Sequence, residues 1–176
     1  MRAPVRRPLL PLALLLAMDG HASTPLPASG ALNCERTAVD RCDFLDRESG
    51  LHFAWPSDWP ERRLVLVTED GPPARARQRD ATRWIAIEYL PDDPNQPQAT
   101  LIWVAVLPRA DWIAQSGQLR VTAAASGVEV ATSTRYVAVA GVAAVNPYPF
   151  ESRDAEIFDA LRPSLAEISL FVQFPP

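Results

Sequence analysis

A nine-residue stretch, ATLIWVAVL at residues 99–107, decides the fold. Alternate side chains of a strand point to opposite faces of its sheet, and both faces of this stretch are apolar. One face carries Leu101, Trp103, Ala105 and Leu107, and the other carries Ile102, Val104 and Val106. The stretch is short for a helix and rich in β-branched residues, so it predicts a strand in a sheet that is covered on both sides.

The segments around this stretch repeat the strand pattern in shorter form. Leu51, Phe53 and Trp55 alternate with His52 and Ala54, which is typical of a strand with one buried face. Prolines and turn-forming residues separate the successive runs. The further strands predicted are residues 64–67, 83–90, 118–125, 128–132, 135–142 and 170–174.

Two segments have helical patterns instead. Residues 108–115 begin with proline and are closed by Gly117, which predicts a short middle helix. Residues 154–168 place their apolar side chains on one face of a C-terminal helix that Pro163 interrupts, and SLAE at 164–167 is a capping box where it can restart. The fold class predicted is α+β: a mainly antiparallel sheet with the C-terminal helix and the short middle helix packed on it.

The N-terminus has the pattern of a secretory signal peptide. Three arginines precede an apolar run at residues 9–18, and small residues stand at Gly20 and Ala22. We therefore predict that residues 1–22 are a signal peptide and that the protein is periplasmic or secreted. A lipoprotein is the alternative, although Cys34 lies far beyond the apolar run. Neither this run nor any later one has the roughly 20 apolar residues of a membrane-spanning helix, so no span is predicted.

Residues 23–50 follow as a flexible leader that carries both cysteines. An even cysteine count in an oxidising compartment favours a disulfide between Cys34 and Cys42. A redox pair is the alternative, but such pairs usually have Cys-x-x-Cys spacing, which is absent here. We predict a structural bond that closes a small loop, followed by a single α+β domain over residues 51–176.

The charge and the residue types of the chain exclude several classes of function. The formal net charge is −4, whereas nucleic-acid-binding proteins usually carry a basic surface that contacts phosphates. No nucleic-acid partner is therefore predicted. His52 is the only histidine outside the predicted signal peptide, and no Gly-x-Ser-x-Gly motif is present. One histidine and two paired cysteines do not make a zinc site. The sequence also lacks nucleotide-binding glycine motifs, and we predict no catalytic residue, no metal and no cofactor.

Two carboxylate pairs, Glu69-Asp70 and Asp92-Asp93, have the residue types of glycosidase or Ca²⁺ sites. Each pair lies beside proline or glycine, where acidic residues commonly form surface turns. We therefore interpret both pairs as turn residues.

Three aromatic residues are the candidates for partner binding. Trp59 and Tyr148 lie between prolines on stiff loops, and Trp112 lies on the predicted middle helix. Large apolar side chains on rigid loops are typical anchors of a recognition surface for sugar or peptide. The alternative interpretation is that these side chains cover the ends of the sheet.

Two segments of the chain resemble known exported domains. LHFAWPSDW at residues 51–59 resembles the opening strand of exported bacterial domains that begin FSFxYPxxW, and NPYP at 146–149, with the helix and strand after it, resembles their closing segment. The pattern is also loosely similar to Mog1/PsbP-like domains. That resemblance implies an α/β/α sandwich used for binding or assembly, without catalytic machinery, and it carries no site residue.

These observations together predict an exported cell-envelope protein that is a non-enzymatic interaction domain. Its partner is predicted to be an envelope protein or a glycan, and its oligomeric state stays open. Two other classes of function remain: an inhibitor or immunity-type protein directed against a wall hydrolase, and an envelope hydrolase.

Overall fold

The computed structural model describes residues 29–31, 35–36, 41–74, 80–119 and 127–176, which form two antiparallel sheets and three helices. The predicted α+β class is confirmed, with two sheets in place of one. The strands are β1 (Ser29–Ala31), β2 (Glu35–Arg36), β3 (Arg41–Asp46), β4 (Leu51–Pro56), β5 (Leu64–Asp70), β6 (Arg83–Tyr89), β7 (Ala99–Pro108), β8 (Val128–Thr132), β9 (Tyr136–Val142) and β10 (Val172–Gln173). The helices are α1 (Arg109–Leu119), α2 (Arg153–Leu161) and α3 (Leu165–Phe171), and a 3-10 turn, Glu61–Arg63, precedes β5.

The larger sheet has the strand order β1-β5-β6-β7-β9-β8, and all neighbouring strands are antiparallel. β7 lies inside this sheet between β6 and β9, and apolar clusters pack on both of its faces, as its sequence predicts. Leu101 departs from the predicted alternation, because the register between β6 and β7 shifts after Ile87. This irregularity places Leu101 and Ile102 in the same cluster.

The smaller sheet has the order β10-β4-β3-β2. β3 pairs with β4 along its whole length, from Arg41 opposite Pro56 to Asp46 opposite Leu51. Ordered structure therefore begins before the predicted Leu51, inside the segment interpreted as a leader. Cys34 lies outside the described residues, so its bond to Cys42 stays a prediction.

The main core lies between the two sheets and is closed by α2 and α3. Phe53 and Trp55 of β4 and Tyr89 of β6 are almost completely buried in it, as are Phe158 of α2 and Ile168 of α3. Burial of each such side chain stabilises the fold by about 1.5–3 kcal/mol. The core therefore depends on the C-terminal helices as much as on the strands.

The opposite face of the larger sheet carries a second apolar cluster built around two stacked indoles. The ring centroids of Trp84 and Trp103 are 4.9 Å apart, and their planes differ by 10°. Gly141 makes room for this stack, since a Cβ there would stand 2.4 Å from Cζ2 of Trp103. Trp112 of α1 packs against the same cluster.

The middle helix and the last strand differ from their predicted limits, whereas the predicted break and restart of the C-terminal helix are present. α1 continues through Gly117 to Leu119, and residues 120–125 of the predicted strand 118–125 lie outside the described residues. The C-terminal helix ends at Leu161 and restarts at the predicted capping box, where Ser164 and Glu167 exchange hydrogen bonds. α3 then runs to Phe171, so the first two residues of the strand predicted at 170–174 are helical. Only Val172–Gln173 form the last strand.

A buried ion pair joins the two sheets. Asp46, at the end of β3, is almost fully buried, and its Oδ1 lies 3.0 Å from Nη2 of Arg83 on β6. Its Oδ2 accepts hydrogen bonds from the backbone and hydroxyl of Ser49. These partners compensate for the burial of the charge, which would otherwise be unfavourable. No helix in the described chain has the length and apolar character needed to cross a bilayer.

Candidate recognition surface

Tyr148, predicted as a partner-binding anchor, is 5% exposed and belongs to the main core. Its ring packs edge-on against Tyr89 at 5.4 Å and against Phe158 at 5.5 Å between centroids. Its hydroxyl donates to the carbonyl oxygen of Pro97 at 3.1 Å. The ring is therefore unavailable to a partner, and for this residue the structure favours the alternative interpretation, in which the side chain covers the end of the sheet.

The other two predicted anchors lie apart from each other. Trp59 is half-buried and packs edge-on against Phe171 at 6.2 Å, beside the main core. Trp112 packs on the opposite face of the larger sheet, and its indole N–H donates to Oε2 of Glu129 at 2.8 Å. The larger sheet separates these two side chains, so the three predicted residues do not form one platform.

A different pair of side chains is exposed on the loop that contains Tyr148. Within residues 145–151, which we call the recognition loop, Val145 is 75% exposed and Phe150 is 92% exposed. Pro147 and Pro149, between them, are exposed as well. The four exposed apolar side chains fall within six consecutive residues, and clustered exposed apolar side chains commonly mark an interaction site.

Hydrogen bonds hold the recognition loop to the domain. Oδ1 of Asn146 accepts from the backbone N–H of Tyr148 at 3.0 Å, and its Nδ2 donates to the carbonyl oxygen of Ala155 at 2.8 Å. The Tyr148 ring, buried in the main core, anchors the middle of the loop to the domain. The prolines restrict φ at two further positions. The backbone that presents Phe150 is therefore already ordered.

The tip of the loop is a tight turn from Pro149 to Ser152. The backbone N–H of Ser152 donates to the carbonyl oxygen of Pro149 at 3.0 Å, which leaves Phe150 and Glu151 at the two central positions. Glu151 has a φ of 64°, in the left-handed region that costs a non-glycine residue about 1–2 kcal/mol. Ser152 then caps α2 by accepting from the backbone N–H of Ala155. The strained residue thus directly follows the exposed aromatic one.

A buried polar network, which we call the clamp, lies beneath the loop at the start of α2. Oδ1 of Asp154 accepts from Nη1 of Arg63 at 2.9 Å, from the hydroxyl of Tyr89 at 2.8 Å and from the backbone N–H of Asp92 at 3.0 Å. Arg63 also pairs with the exposed Asp92 carboxylate. The clamp joins the 3-10 turn, the end of β6 and the segment after it to the helix that follows the recognition loop.

The clamp shifts the pKa values of its members. Burial alone would raise the pKa of Asp154, but hydrogen bonds from the Asp92 backbone, the Tyr89 hydroxyl and Arg63 outweigh it and hold that pKa below its ordinary value. Burial, with the hydrogen bond to Asp154, raises the pKa of Tyr89 to about 12. Burial, with the nearby charge of Asp154, raises the pKa of Tyr148 to about 12 as well.

The remaining polar candidates have structural partners. Nε2 of His52 lies 3.2 Å from Oδ1 of Asp43 across the smaller sheet. Asp70 pairs with Arg83, and Asp92 belongs to the clamp. Asp93 accepts from the backbone and side chain of Asn95 at 2.9 Å, in the kind of turn predicted for it. Within the described ranges, no group of three or more His, Cys, Asp or Glu side chains is placed to hold a metal ion.

Comparisons of the chain with protein-family models, with curated proteins and with solved structures found no match. The resemblance to exported bacterial domains and to Mog1/PsbP-like domains therefore stays a prediction. Functional arguments for this chain come from its own geometry.

Proposed function

We propose that this chain is an exported, non-enzymatic interaction domain of the cell envelope, acting in the periplasm or outside the cell. The observation that supports the proposal is the recognition loop, which exposes Val145 and Phe150 on a backbone held at both ends. Exposed apolar side chains are unfavourable in water, so their display on a rigid support is typical of a surface that binds a partner.

The export part of the proposal depends on residues 1–22. Purification from the periplasm or culture medium, followed by intact-mass measurement and N-terminal sequencing, should find a chain that begins after Ala22. A chain that still begins at Met1 and stays in the cytoplasm, or a lipid-modified Cys34, would contradict it.

The interaction part is tested with the mature protein, residues 23–176, immobilised as bait in an envelope extract of the bacterium that produces it. Excess soluble mature protein should compete the specific partner away. The competed protein is then identified, purified and titrated with the mature chain by calorimetry, and we expect saturable binding. If no protein or glycan fragment is competed, the chain is not an interaction domain of the envelope.

An inhibitor or immunity-type protein against a wall hydrolase is the second candidate. The observation in its favour is the narrow turn that carries Phe150 at its tip, a shape that enters a cleft more readily than it covers a flat surface. If the captured partner is a wall hydrolase, its activity on peptidoglycan should fall in proportion to added mature protein and reach zero at equal molarity. Undiminished activity in the saturated complex would exclude this candidate.

A further inference from the structure

We infer that the Pro149–Ser152 turn inserts Phe150 into an apolar pocket on a different, folded protein. This inference depends on the proposed interaction function and adds the kind of partner and the contact residue. It is carried by the exposure of the Phe150 side chain, by the shape of the turn and by the surface around it.

The turn is convex and preformed. Phe150 occupies one of its two central positions and is 92% exposed, so almost the whole ring is free to contact a partner. The hydrogen bond from Ser152 to Pro149 and the bracing by Asn146 fix the backbone before binding. A flexible loop loses conformational entropy when it binds a partner, which weakens binding. In this loop the entropy is already lost when the protein folds. A narrow rigid protrusion with an aromatic tip is complementary to a concave site.

The exposed loop residues before Phe150 are apolar, and the exposed residues that follow it include the charged Glu151 and Arg153. Val145 is 75% exposed, and Pro147 and Pro149 are exposed between it and the tip. Energetically dominant side chains of protein interfaces are typically aromatic and surrounded by residues that exclude water. The recognition loop has this composition.

Other partners fit the loop less well. A glycan site is usually concave, with a few polar groups that converge on the ligand, whereas Phe150 stands in water at the tip of a turn. An anionic membrane attracts clusters of basic residues. The exposed charged residues from the loop to the residue that follows α2 are three acidic and two basic: Glu151, Arg153, Glu156, Asp159 and Arg162. A folded protein with an apolar pocket is the partner that this surface fits.

The first test places the photoreactive residue p-benzoylphenylalanine at position 150 of the full chain in the producing bacterium. The matched control carries it at position 170, because Leu170 is also a large apolar residue in water, 59% exposed, on α3. Illumination should give an adduct with one protein at position 150 and not at position 170. Adducts with lipid or glycan, with a second copy of this chain, or with the same proteins at both positions would overturn the inference.

The second test measures the affinity of that purified protein for the mature chain and for its Phe150→Ala and Leu170→Ala variants. Phe150→Ala should weaken binding at least about tenfold, the effect of truncating an interface anchor, while Leu170→Ala should change it less than twofold. Circular dichroism and the melting temperature should be the same for all three, because both side chains are exposed. Unchanged affinity of Phe150→Ala would overturn the inference.

The two proposals fail in different ways. If the competed partner binds the wild-type chain and Phe150→Ala equally well, the interaction function is retained and the proposed Phe150 contact is wrong. If the bait retains no partner under any condition, both the interaction function and the Phe150 contact are wrong.

Discussion

Replacement of Asp154 by alanine removes the acceptor at the centre of the clamp. Its Oδ1 accepts from Arg63, Tyr89 and the backbone of Asp92, and the carboxylate is itself buried. In the variant the Tyr89 hydroxyl loses its acceptor, while Arg63 keeps the exposed carboxylate of Asp92 and its hydrogen bond to the Tyr89 oxygen at 2.8 Å. The change therefore leaves buried donors unpaired without leaving a fully isolated buried cation.

The expected loss of stability follows from those partners. A buried donor without an acceptor costs about 1–3 kcal/mol, and a buried cation left entirely alone costs about 3–5 kcal/mol. Because Arg63 keeps the Asp92 carboxylate and the Tyr89 hydroxyl as partners, we expect Asp154→Ala to lower the free energy of unfolding by about 2–4 kcal/mol. In a domain of this size that corresponds to a decrease in melting temperature of roughly 5–15 °C.

The assay is urea denaturation of the purified mature protein at pH 7, with Asp159→Ala as the matched control. Asp159 lies on the same helix, is exposed, and pairs with Arg162 at 3.2 Å. Removal of an exposed ion pair costs at most about 1 kcal/mol, so the control should unfold almost as the wild type does. If Asp154→Ala is no less stable than Asp159→Ala, the clamp does not stabilise the fold and the argument is wrong.

The pH dependence gives the same prediction a second readout. The folded pKa of Asp154 is lowered from its ordinary value of 3.8, so its stabilising effect is complete above pH 3.8 and is lost as pH falls through the folded pKa. The difference between wild type and Asp154→Ala should therefore shrink in acid. Tyr89 acts in the opposite direction: its pKa is raised from 10.0 to about 12, so its contribution is complete below pH 10 and is lost as pH rises toward about 12.

Three further predictions concern other parts of the molecule. Gly141→Ala should destabilise the protein by about 1–3 kcal/mol and change its near-ultraviolet circular dichroism, because the new Cβ would collide with Trp103; an unchanged spectrum and stability would show that the indoles move aside easily. Labelling of unreduced, denatured protein from the oxidising compartment should find no free thiol, whereas two reactive thiols would show that Cys34 and Cys42 are not joined. His52→Ala should retain partner binding with a small change in melting temperature, since the half-buried imidazole contacts only Asp43 among the ion pairs described. A folded variant that has lost binding would show that His52 is part of the functional site.

The strands that could be predicted from the sequence are those whose own residues show a continuous apolar run or an alternation of apolar and polar side chains. β7 is apolar at nearly every position and lies inside its sheet, while β4 and β8 begin where alternation predicts them. β3 was missed because Asp46 looks like a solvated residue in sequence. Its burial depends on Arg83, which lies 37 positions away, and no local pattern records that pairing. The extension of α3 to Phe171 was missed for a related reason, since Leu170 and Phe171 suit a strand or a helix equally well.

The sequence indicated the loop on which the proposed contact lies, but it named Tyr148 rather than the exposed Phe150. Pro147 and Pro149 correctly indicate a stiff segment, but stiffness does not determine which of its aromatic rings turns inward. Tyr148 does, because its hydroxyl has an acceptor in Pro97. Phe150 has no polar atom and would be expected inside on its residue type alone, yet it is 92% exposed, directly before Glu151 with its left-handed φ of 64°. That φ is a property of the folded turn and has no signature in the residue type.

The pairing of β10 with β4 sets the order in which this chain can finish folding. Val172 stands opposite Phe53, so β4, which pairs with β3 on one side, receives its second partner from residues far along the chain. A growing chain can complete the larger sheet earlier, since all its strands precede β10, but the edge of β4 stays unpaired until the last helix has formed. Closure of so distant a contact is slow, and an unpaired edge is prone to association with other chains. Loss of as little as the segment from Val172 onward should therefore yield a protein that retains most of its secondary structure and aggregates.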